Sequence, residues 1–420
     1  MLVGLDMTAT GPSRILTLDA VRGIAVMGIL LMNIVSFAMP DAAYVHPLAL
    51  PPVSDGDLVA WGINQLLFEG RMRGLFALLF GASTLLVMAR ADAAGGSPVA
   101  THLRRMAVLA LFGAAHFLLL WEGDILLHYA ILGMVLWLAR DWPVDKLVRA
   151  AVIALSLHSL YWSFQIGGAL MFQAMATGPD ATPQMVAGYR TMLAGFPGPG
   201  SPAIVRDLAI YTGDYAGIVE HRLSDKLWTP WELLKVLGGE SLGYMLIGMA
   251  LMKSGLFTGE WPRAAVRRVM VVAYAVSLPL LALLTCWTVA SGFDRIVIMG
   301  NFIAWAVPLR VLCALGHVAL AVLLVQRFAA SALVARIAAA GRMAFTNYLA
   351  TSAVMTTIFY GYGLGLYGSV GRAELYWFVA AMWAAMLLWS RPWLDRFRYG
   401  PLEWLWRSLA RGRIEALRRS

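Results

Sequence analysis

The sequence predicts an all-α integral membrane protein, a polytopic bundle of about ten transmembrane helices with both termini in the cytoplasm. Two observations carry this expectation. Of 420 residues, 60% are hydrophobic and only 14% charged, with a mean hydropathy of +0.70, whereas an ordinary soluble domain carries roughly 25% charged residues. The apolar runs also recur at short intervals from Leu16 to Leu388 and leave no stretch for a separate globular core. In lipid every backbone N–H and C=O must be satisfied within the chain, so runs of this length are expected as helices.

The first run, Leu16 to Met39, is too long for a signal-peptide core and lacks a small-residue cleavage site behind a basic start, so it is expected as a retained span. The spans are expected over roughly 15–39, 66–89, 103–121, 124–139, 147–172, 232–252, 267–290, 298–325, 343–362 and 373–390, each near the roughly 20 residues that cross the hydrocarbon. With this count, one side receives Arg90, Arg104 and Arg105, then Arg140, Lys146 and Arg149, then Lys253, Arg263, Arg267 and Arg268, then Arg327, Arg336 and Arg342. The positive-inside rule makes that side cytoplasmic. The other side receives 40–58, the tight turn Trp121-Glu122-Gly123-Asp124, the long loop 173–231 and the Gly/Tyr-rich loop 360–372.

Within the long loop, 178–202 is rich in Pro, Gly and Thr, and 203–226 reads as one amphipathic helix on the outer surface, with Ile204, Leu208, Tyr211 and Tyr215 apolar. Residues 1–400 are read as a single membrane domain. Residues 401–420 are read as a basic cytoplasmic interfacial tail, continuing a stretch from Ser390 that mixes Trp393, Trp404 and Trp406 with eight arginines. The net charge of +9 follows this loop pattern rather than a nucleic-acid groove, so the bilayer is the expected partner and nucleic acid is not. Cys286 and Cys313 lie inside apolar runs and read as small buried hydrophobes, with neither a disulfide framework nor a thiol metal motif. There is no Walker loop, dinucleotide fingerprint or His-Glu-x-x-His, and no clear inverted repeat. No bound metal is expected.

Polar residues inside spans are few, and each charge at a span centre costs about 2.5–3.5 kcal/mol on insertion scales, so each needs a partner or a task. Asp19 and Arg22 open the first span at a spacing that lets them pair on one face; alternatively Arg22 meets a phosphate from the cytoplasm. Asn33 is either a helix–helix contact or part of a site. Glu69, Arg71 and Arg73 begin the second span as a solvated ion pair or a site wall. Glu240, near the middle of a span, is expected to pair with an Arg or His of another span. The hairpin from His116 through Glu122 and Asp124 to His128 is the most informative constellation. Asp124 and His128 stand at i, i+4, and both histidines return to a similar depth across the turn. A His beside a carboxylate offers a base titrating near neutrality with a fixed tautomer. A polar network holding the hairpin and a site of two His and a carboxylate for a metal are the competing readings. His46 in the first outer loop is a candidate to cap the same cavity, whereas His158 and His317 read as isolated and hydrogen-bonded to neighbours. Gly81, Gly113, Gly133, Gly239, Gly243 and Gly248 read as points of close helix packing.

A resemblance runs over nearly the whole chain. The opening Arg14-Ile-Leu-Thr-Leu-Asp-Ala-Val-Arg-Gly, the segment Phe68-Glu-Gly-Arg, the hairpin Gly-Asp-Ile-Leu-Leu-His-Tyr-Ala and the late Gly341-Arg-Met-Ala-Phe-Thr-Asn347-Tyr-Leu, Phe359-Tyr-Gly-Tyr-Gly and Tyr399-Gly-Pro-Leu-Glu-Trp resemble the YeiB family of bacterial inner-membrane proteins. That family is similar in its first half to heparan-glucosaminide acetyltransferase and to a wider group of membrane acyltransferases. The resemblance implies a multi-pass protein of the bacterial inner membrane. It also implies transfer of an acyl group, acetyl first among them, from a cytoplasmic acyl-coenzyme A to a sugar or other small-molecule, lipid or glycan acceptor. In the lysosomal enzyme a His follows the first-span Asn shortly afterwards, and Asn33 and His46 stand in that relation. On this reading His116 or His128, oriented by Asp124 or Glu122, is the base, with His46 a further catalytic candidate. Arg22, Arg104, Arg105 and Arg342 hold the coenzyme's phosphates, Asn33 faces the oxyanion, and Glu69, Arg71, Glu240 and Asn347 contact the acceptor. The alternative is a proton-coupled carrier or exporter of a small amphipathic molecule that uses the same cluster as a relay. A receptor-like assembly protein without turnover is a third class, and a homodimer stays open.

Overall fold

Every expected apolar span is helical in the computed structural model, which describes residues 16–196 and 198–419. Arg14 and Ile15, the N-terminal end assigned to the cytoplasm, and the last residue of the tail lie outside the described residues. The helices are α1 (Leu16–Ala38), α2 (Asp41–Val45), α3 (Asp55–Leu67), α4 (Arg71–Ala93), α5 (Pro98–Leu119), α6 (Leu126–Gly133), α7 (Val144–Thr177), α8 (Pro183–Ala194) and α9 (Pro202–Tyr211). They continue as α10 (Tyr215–Ser224), α11 (Thr229–Lys253), α12 (Arg263–Ala290), α13 (Arg295–Gly300), α14 (Val307–Arg327), α15 (Ala332–Arg342), α16 (Ala344–Phe359), α17 (Leu375–Arg396) and α18 (Pro401–Arg411).

Seven of these units are long and apolar enough to cross a bilayer: α1, the composite α3–α4, α5, α7, α11, α12 and α14. The other three expected spans are less regular. The fourth is α6 followed by a 3₁₀ turn over Leu136–Ala139, and the last two are α16 and α17. Leu157, Leu160, Phe164, Leu283, Trp377 and Leu388 are each more than 60% exposed, which is the apolar belt of a surface facing lipid rather than water.

Glycines set which helices touch. On α4, a side chain at Gly81 would overlap the Met245 carbonyl, and one at Gly248 on α11 would overlap the Leu78 carbonyl. The two helices therefore run side by side with their backbones in contact. Gly341 of α15 lies in the same way on the backbone of Asp19 and Gly23 in α1. Gly113 brings α5 onto the start of α6 at Leu127, and Gly243 receives Leu155 of α7. These are the packing roles expected for Gly81, Gly113, Gly243 and Gly248.

Two spans are discontinuous. The second begins earlier than expected, because Ser54 and Asp57 form a reciprocal N-terminal cap that starts α3 at Asp55. It then breaks at Gly70, whose φ of 74° only glycine adopts readily, before resuming as α4. The span expected at 298–325 is α13, a π-helical turn over Asn301–Trp305, and α14. The long loop differs too. Its expected single amphipathic helix is two, α9 and α10, separated at Thr212–Asp214, where Asp214 accepts from Gly217 N at 2.8 Å and caps the second.

The loops sort to two ends through their contacts. At one end Gly361 N donates to Tyr211 O and Gly368 N to Ala38 O, both at 2.8 Å. Arg372 there reaches Ala43 O, and Ala373 N reaches Asp57 Oδ1 at 2.8 Å. At the other end Lys253 Nζ donates to Arg140 O at 2.6 Å and Trp142 O at 2.8 Å. The amphipathic α18 lies there against α5 and α16. The Arg105 guanidinium stands 4.2 Å over the Trp406 ring, and Trp406 Nε1 donates to Arg105 O at 3.1 Å.

Gly81→Leu or Gly248→Leu forces a side chain into a facing carbonyl that cannot yield without separating α4 from α11. Each is expected to destabilise the purified protein by at least the roughly 1–3 kcal/mol of an overpacked core, measured as a lowered thermal midpoint in detergent. Gly167→Leu, at an open position on α7, should leave it unchanged.

Candidate functional site

The hairpin between α5 and α6 holds the first polar group. Asp124 precedes α6 and caps it, its Oδ2 accepting from Leu127 N at 2.8 Å. That turns the rest of the carboxylate back toward α5, where Oδ1 lies 2.7 Å from His116 Nδ1. Both residues are buried, and His116 Nε2 is buried without a hydrogen-bond partner. The imidazole is flanked by Tyr348, with ring centroids 5.3 Å apart, and by Trp121 at 6.2 Å. Trp121 in turn stacks on Phe37 at 4.0 Å. Phe37, Tyr348, Thr351 and Ser352 line a small cavity into which Asn33 also faces. A base with one nitrogen oriented by a carboxylate and the other bare is suited to taking a proton from a hydroxyl or amine.

The expectation that Asp124 and His128 share a helix face is corrected, because Asp124 lies outside the helix it caps. His128 turns away, with Nε2 2.9 Å from Ser241 Oγ on α11. It belongs to a second group that sequence reasoning assembled only in part. Arg73 Nη2 lies 3.3 Å from Glu240 Oε2, and its Nη1 lies 3.9 Å from Glu69 Oε1. The expected partner of Glu240 is therefore Arg73. The reading of Glu69, Arg71 and Arg73 as a solvated pair is overturned, since Glu69 is 6% and Arg71 1% exposed. Tyr44 of α2 donates to Glu69 Oε2 at 3.1 Å, and Tyr129 OH to Arg73 O at 2.9 Å. Arg71 Nη1 donates to Gln65 O at 2.7 Å and Glu69 O at 2.6 Å. Arg310 of α14, buried over Gly70, donates to Phe302 O. An arginine within the apolar run 298–325 was the legible signal for this member, by the rule that an intramembrane charge marks a site.

The third group caps the hairpin. Lys226 Nζ lies 2.7 Å from Asp41 Oδ2 and 3.4 Å from Glu122 Oε2. Arg222, fully buried, donates to Leu118 O at 3.2 Å and Leu120 O at 3.0 Å, satisfying the last carbonyls of α5. Burial and the Asp41 carboxylate push the Glu122 carboxyl up to about 7 against the pull of Lys226. Burial raises Asp207 as well, with Asp41 adding to it.

The remaining candidates fall elsewhere. His46 accepts from Leu48 N at 3.2 Å and packs near Phe293 rather than against His116; burial lowers its pKa. His158 and His317 bond to backbone carbonyls of Ile303 at 3.0 Å and Leu67 at 3.1 Å, as expected. Asn347 is saturated within the α15–α17 packing, donating to Ala340 O at 3.0 Å and accepting from Trp389 Nε1 at 3.0 Å; its side chain is not presented to an acceptor. The four basic candidates form two groups. Arg22 pairs with Asp19 at 3.0 Å and donates to Ser83 at 2.8 Å; Arg342 follows Gly341, which abuts Asp19. Arg104 is exposed, and Arg105 lies under Trp406 near Arg90, Arg407 and Arg411. No group of three or more His, Cys, Asp or Glu among the described residues could hold a metal ion.

These features define a polytopic helical membrane protein with buried charged groups inside the bundle. The chain is 33% identical over 401 residues to the uncharacterized protein YeiB of Escherichia coli, covering 94% of this chain and 96% of that one. It is 32% identical over 411 residues to the uncharacterized protein YxaH of Bacillus subtilis, covering 94% of each, and 24% identical over 404 residues to an uncharacterized 39.9 kDa protein of Bacillus acidopullulyticus, covering 95% and 94%. Residues 251–413 match a family described as a protein of unknown function, DUF418. The chain belongs to the YeiB family. No solved structure matches it.

Because Glu122 holds its proton to a higher pH in the fold than in an unfolded chain, the folded state binds more protons between about pH 4.5 and 7, and stability falls as pH rises through that window. Buried histidines such as His46, whose pKa is lowered, act in the opposite sense below about pH 6.5, so the test is the difference between the thermal midpoints of the native chain and of Glu122→Gln from pH 5 to 8, and that difference should decline as pH rises.

Proposed function

We propose that the chain is a membrane-embedded acyltransferase of the bacterial inner membrane. It would move an acyl group from a cytoplasmic acyl-coenzyme A to a hydroxyl or amine of a sugar, lipid or small molecule on the far side. The observation that carries this reading is the buried Asp124–His116 pair with Nε2 unpartnered. His116 Nε2 takes the acceptor's proton as its oxygen or nitrogen attacks the thioester carbonyl. Asp124 holds the tautomer and stabilises the imidazolium, as an orienting carboxylate does in hydrolytic triads. The Asn33 amide, in the adjoining cavity, donates to the tetrahedral oxyanion. Collapse of that intermediate breaks the C–S bond and returns the proton to the departing thiolate, with no covalent enzyme intermediate.

The orientation follows the basic end of the bundle, which the positive-inside rule assigns to the cytoplasm with both termini. Arg22, Arg104, Arg105 and Arg342 all lie toward that end, and a polyanionic coenzyme would meet them first.

A second reading, a carrier of a small charged molecule, is favoured by one observation. The breaks at Gly70 and at Asn301–Trp305 both adjoin the buried Arg/Glu group, and discontinuous helices around an internal site are a recurrent transporter device.

His116→Ala is expected to lower acyl transfer by about 10²–10⁴-fold, the usual contribution of a general base, while the affinity for acetyl-coenzyme A, measured by equilibrium binding in detergent, stays unchanged. Asp124→Asn should lose activity comparably through the wrong tautomer, and Arg22→Ala should weaken coenzyme binding instead. If neither acetyl-coenzyme A nor longer thioesters bind, the transferase reading fails and the carrier reading takes its place.

A further inference from the structure

The buried cluster between the two broken spans carries more positive charge than its own carboxylates answer. Arg71, Arg73 and Arg310 face Glu69 and Glu240, and Arg73 alone lies against both carboxylates. Nε and Nη2 of Arg71 and Nε and Nη1 of Arg310 are buried without hydrogen-bond partners, and both residues are 1% exposed. An unpaired guanidinium out of water is among the most costly arrangements a protein can hold. Arg310 lies over Gly70 and close enough to Glu240 to act on it electrostatically, and Arg71, beside the Cys313 thiol, is near enough to Arg310 for the two to repel. Acceptors of the cluster are also without hydrogen-bond partners, Glu69 Oε1 and Glu240 Oε1, with Tyr244 OH as a further polar group; Asn301 Oδ1, one residue before the Phe302 carbonyl that Arg310 binds, is bare as well.

We infer that Arg71 and Arg310, with Arg73 behind them, form a binding site inside the bundle for an oxyanion, a carboxylate or phosphate that also carries a hydroxyl or ammonium donor. Two guanidinium edges match an oxyanion's planar pairs of acceptors, which is the geometry in which arginine binds such groups most strongly. The donor on the ligand would meet Glu240 and Asn301, so a bare divalent metal or an apolar molecule does not fit this set of partners. Entry would lie past Tyr44 and Glu69, which line two small cavities on the outer side of the cluster, one with Arg372 and Asn64 and the other with Asn301 and Thr288; none of the three arginines of the cluster lines either. Each now has room for about one water, and moving the Tyr44 ring off Glu69 joins them. The assignment does not rest on acyl transfer, because an anionic acceptor and an anionic cargo would use the site alike.

The test is binding, not turnover. The full chain in detergent is titrated with inorganic phosphate and with acetate at constant ionic strength, reading the thermal midpoint. In a parallel arm it is placed in nanodiscs of phosphatidylcholine with or without phosphatidylglycerol. The expected result is a saturable rise in midpoint. A rise with the free anions assigns a soluble oxyanion, and one confined to phosphatidylglycerol assigns a lipid headgroup. Arg310→Gln should weaken the response about tenfold or more, whereas Arg267→Gln, on the exposed face of α12, should not. No saturable response to any of these probes, or the same response in Arg310→Gln, overturns the proposal. If Arg310→Gln fails to fold, Glu240→Gln decides. Removing the competing carboxylate while keeping an amide near Arg73 should tighten anion binding, and an unchanged affinity overturns the proposal.

Discussion

Charge held where water is scarce is the constraint around which the rest of the bundle is arranged. Glu240 lies near the middle of α11, and an ionised side chain at such a depth costs about 2.5–3.5 kcal/mol on insertion scales even after relaxation. Arg73 answers it from the first turn of α4, which is possible only because α4 starts inside the bundle rather than at its surface. The break at Gly70 and the salt bridge are therefore one feature. Breaking a helix frees carbonyls that lipid cannot satisfy, and buried side-chain donors take them up: Arg71 binds the carbonyls of Gln65 and Glu69, His317 that of Leu67, and Arg310 that of Phe302. Guanidinium groups and broken backbone each offset part of the other's penalty.

The same logic governs the hairpin between α5 and α6. Six residues without helical structure, 120–125, leave the end of α5 with open carbonyls, and Arg222 closes two of them from α10. Asp124 closes the start of α6 from the other direction. Once Asp124 is committed to the Leu127 amide, its second oxygen can reach only back across the turn, and His116 stands there. The histidine–carboxylate pair is thus a by-product of capping a short helix in an apolar setting. The outer layer of Lys226, Asp41, Glu122 and Asp207 keeps the turn covered, so the pair stays buried.

Much of this was legible in the sequence, and the parts that were not have physical reasons. The apolar runs located every span, because a bilayer imposes a length and a hydropathy that few other environments share. The pairing of Asp19 with Arg22 and the packing role of Gly81 and Gly248 followed from spacing and residue size alone. The start of α3 was missed although Ser54 and Asp57 carry a capping signature, since residues 59–65 mix polar and apolar groups and fell between the expected loop 40–58 and the span expected from 66. Assigning Asp124 and His128 to one face failed because i, i+4 geometry holds only inside a helix, and a capping residue is outside it. Arg310 was legible by the rule that already picked out Glu240. What no sequence argument could supply is which intramembrane cation meets which anion, because those partners are 167 residues apart for Arg73 and Glu240 and meet only through helix packing.

The two internal groups are not mechanically separate. α6 begins at the Asp124 cap and, one turn later, places His128 on Ser241, next to Glu240, and Tyr129 on the Arg73 carbonyl. At 1.5 Å per residue those contacts lie only about 6–8 Å along the same short helix. The helix is pinned at its far end as well, where the Gly133 carbonyl bonds His102 at 2.7 Å. An eight-residue helix held at both ends moves as a unit or not at all, since packed interiors switch between discrete arrangements rather than deform smoothly. A ligand at the proposed arginine site would shift the charge balance at Arg73 and Glu240, and the contacts most directly exposed to that change are those that seat α6. The orientation of His116 depends on Asp124 at the head of the same helix, so a ligand in the one group would act on the geometry of the other through a single short element.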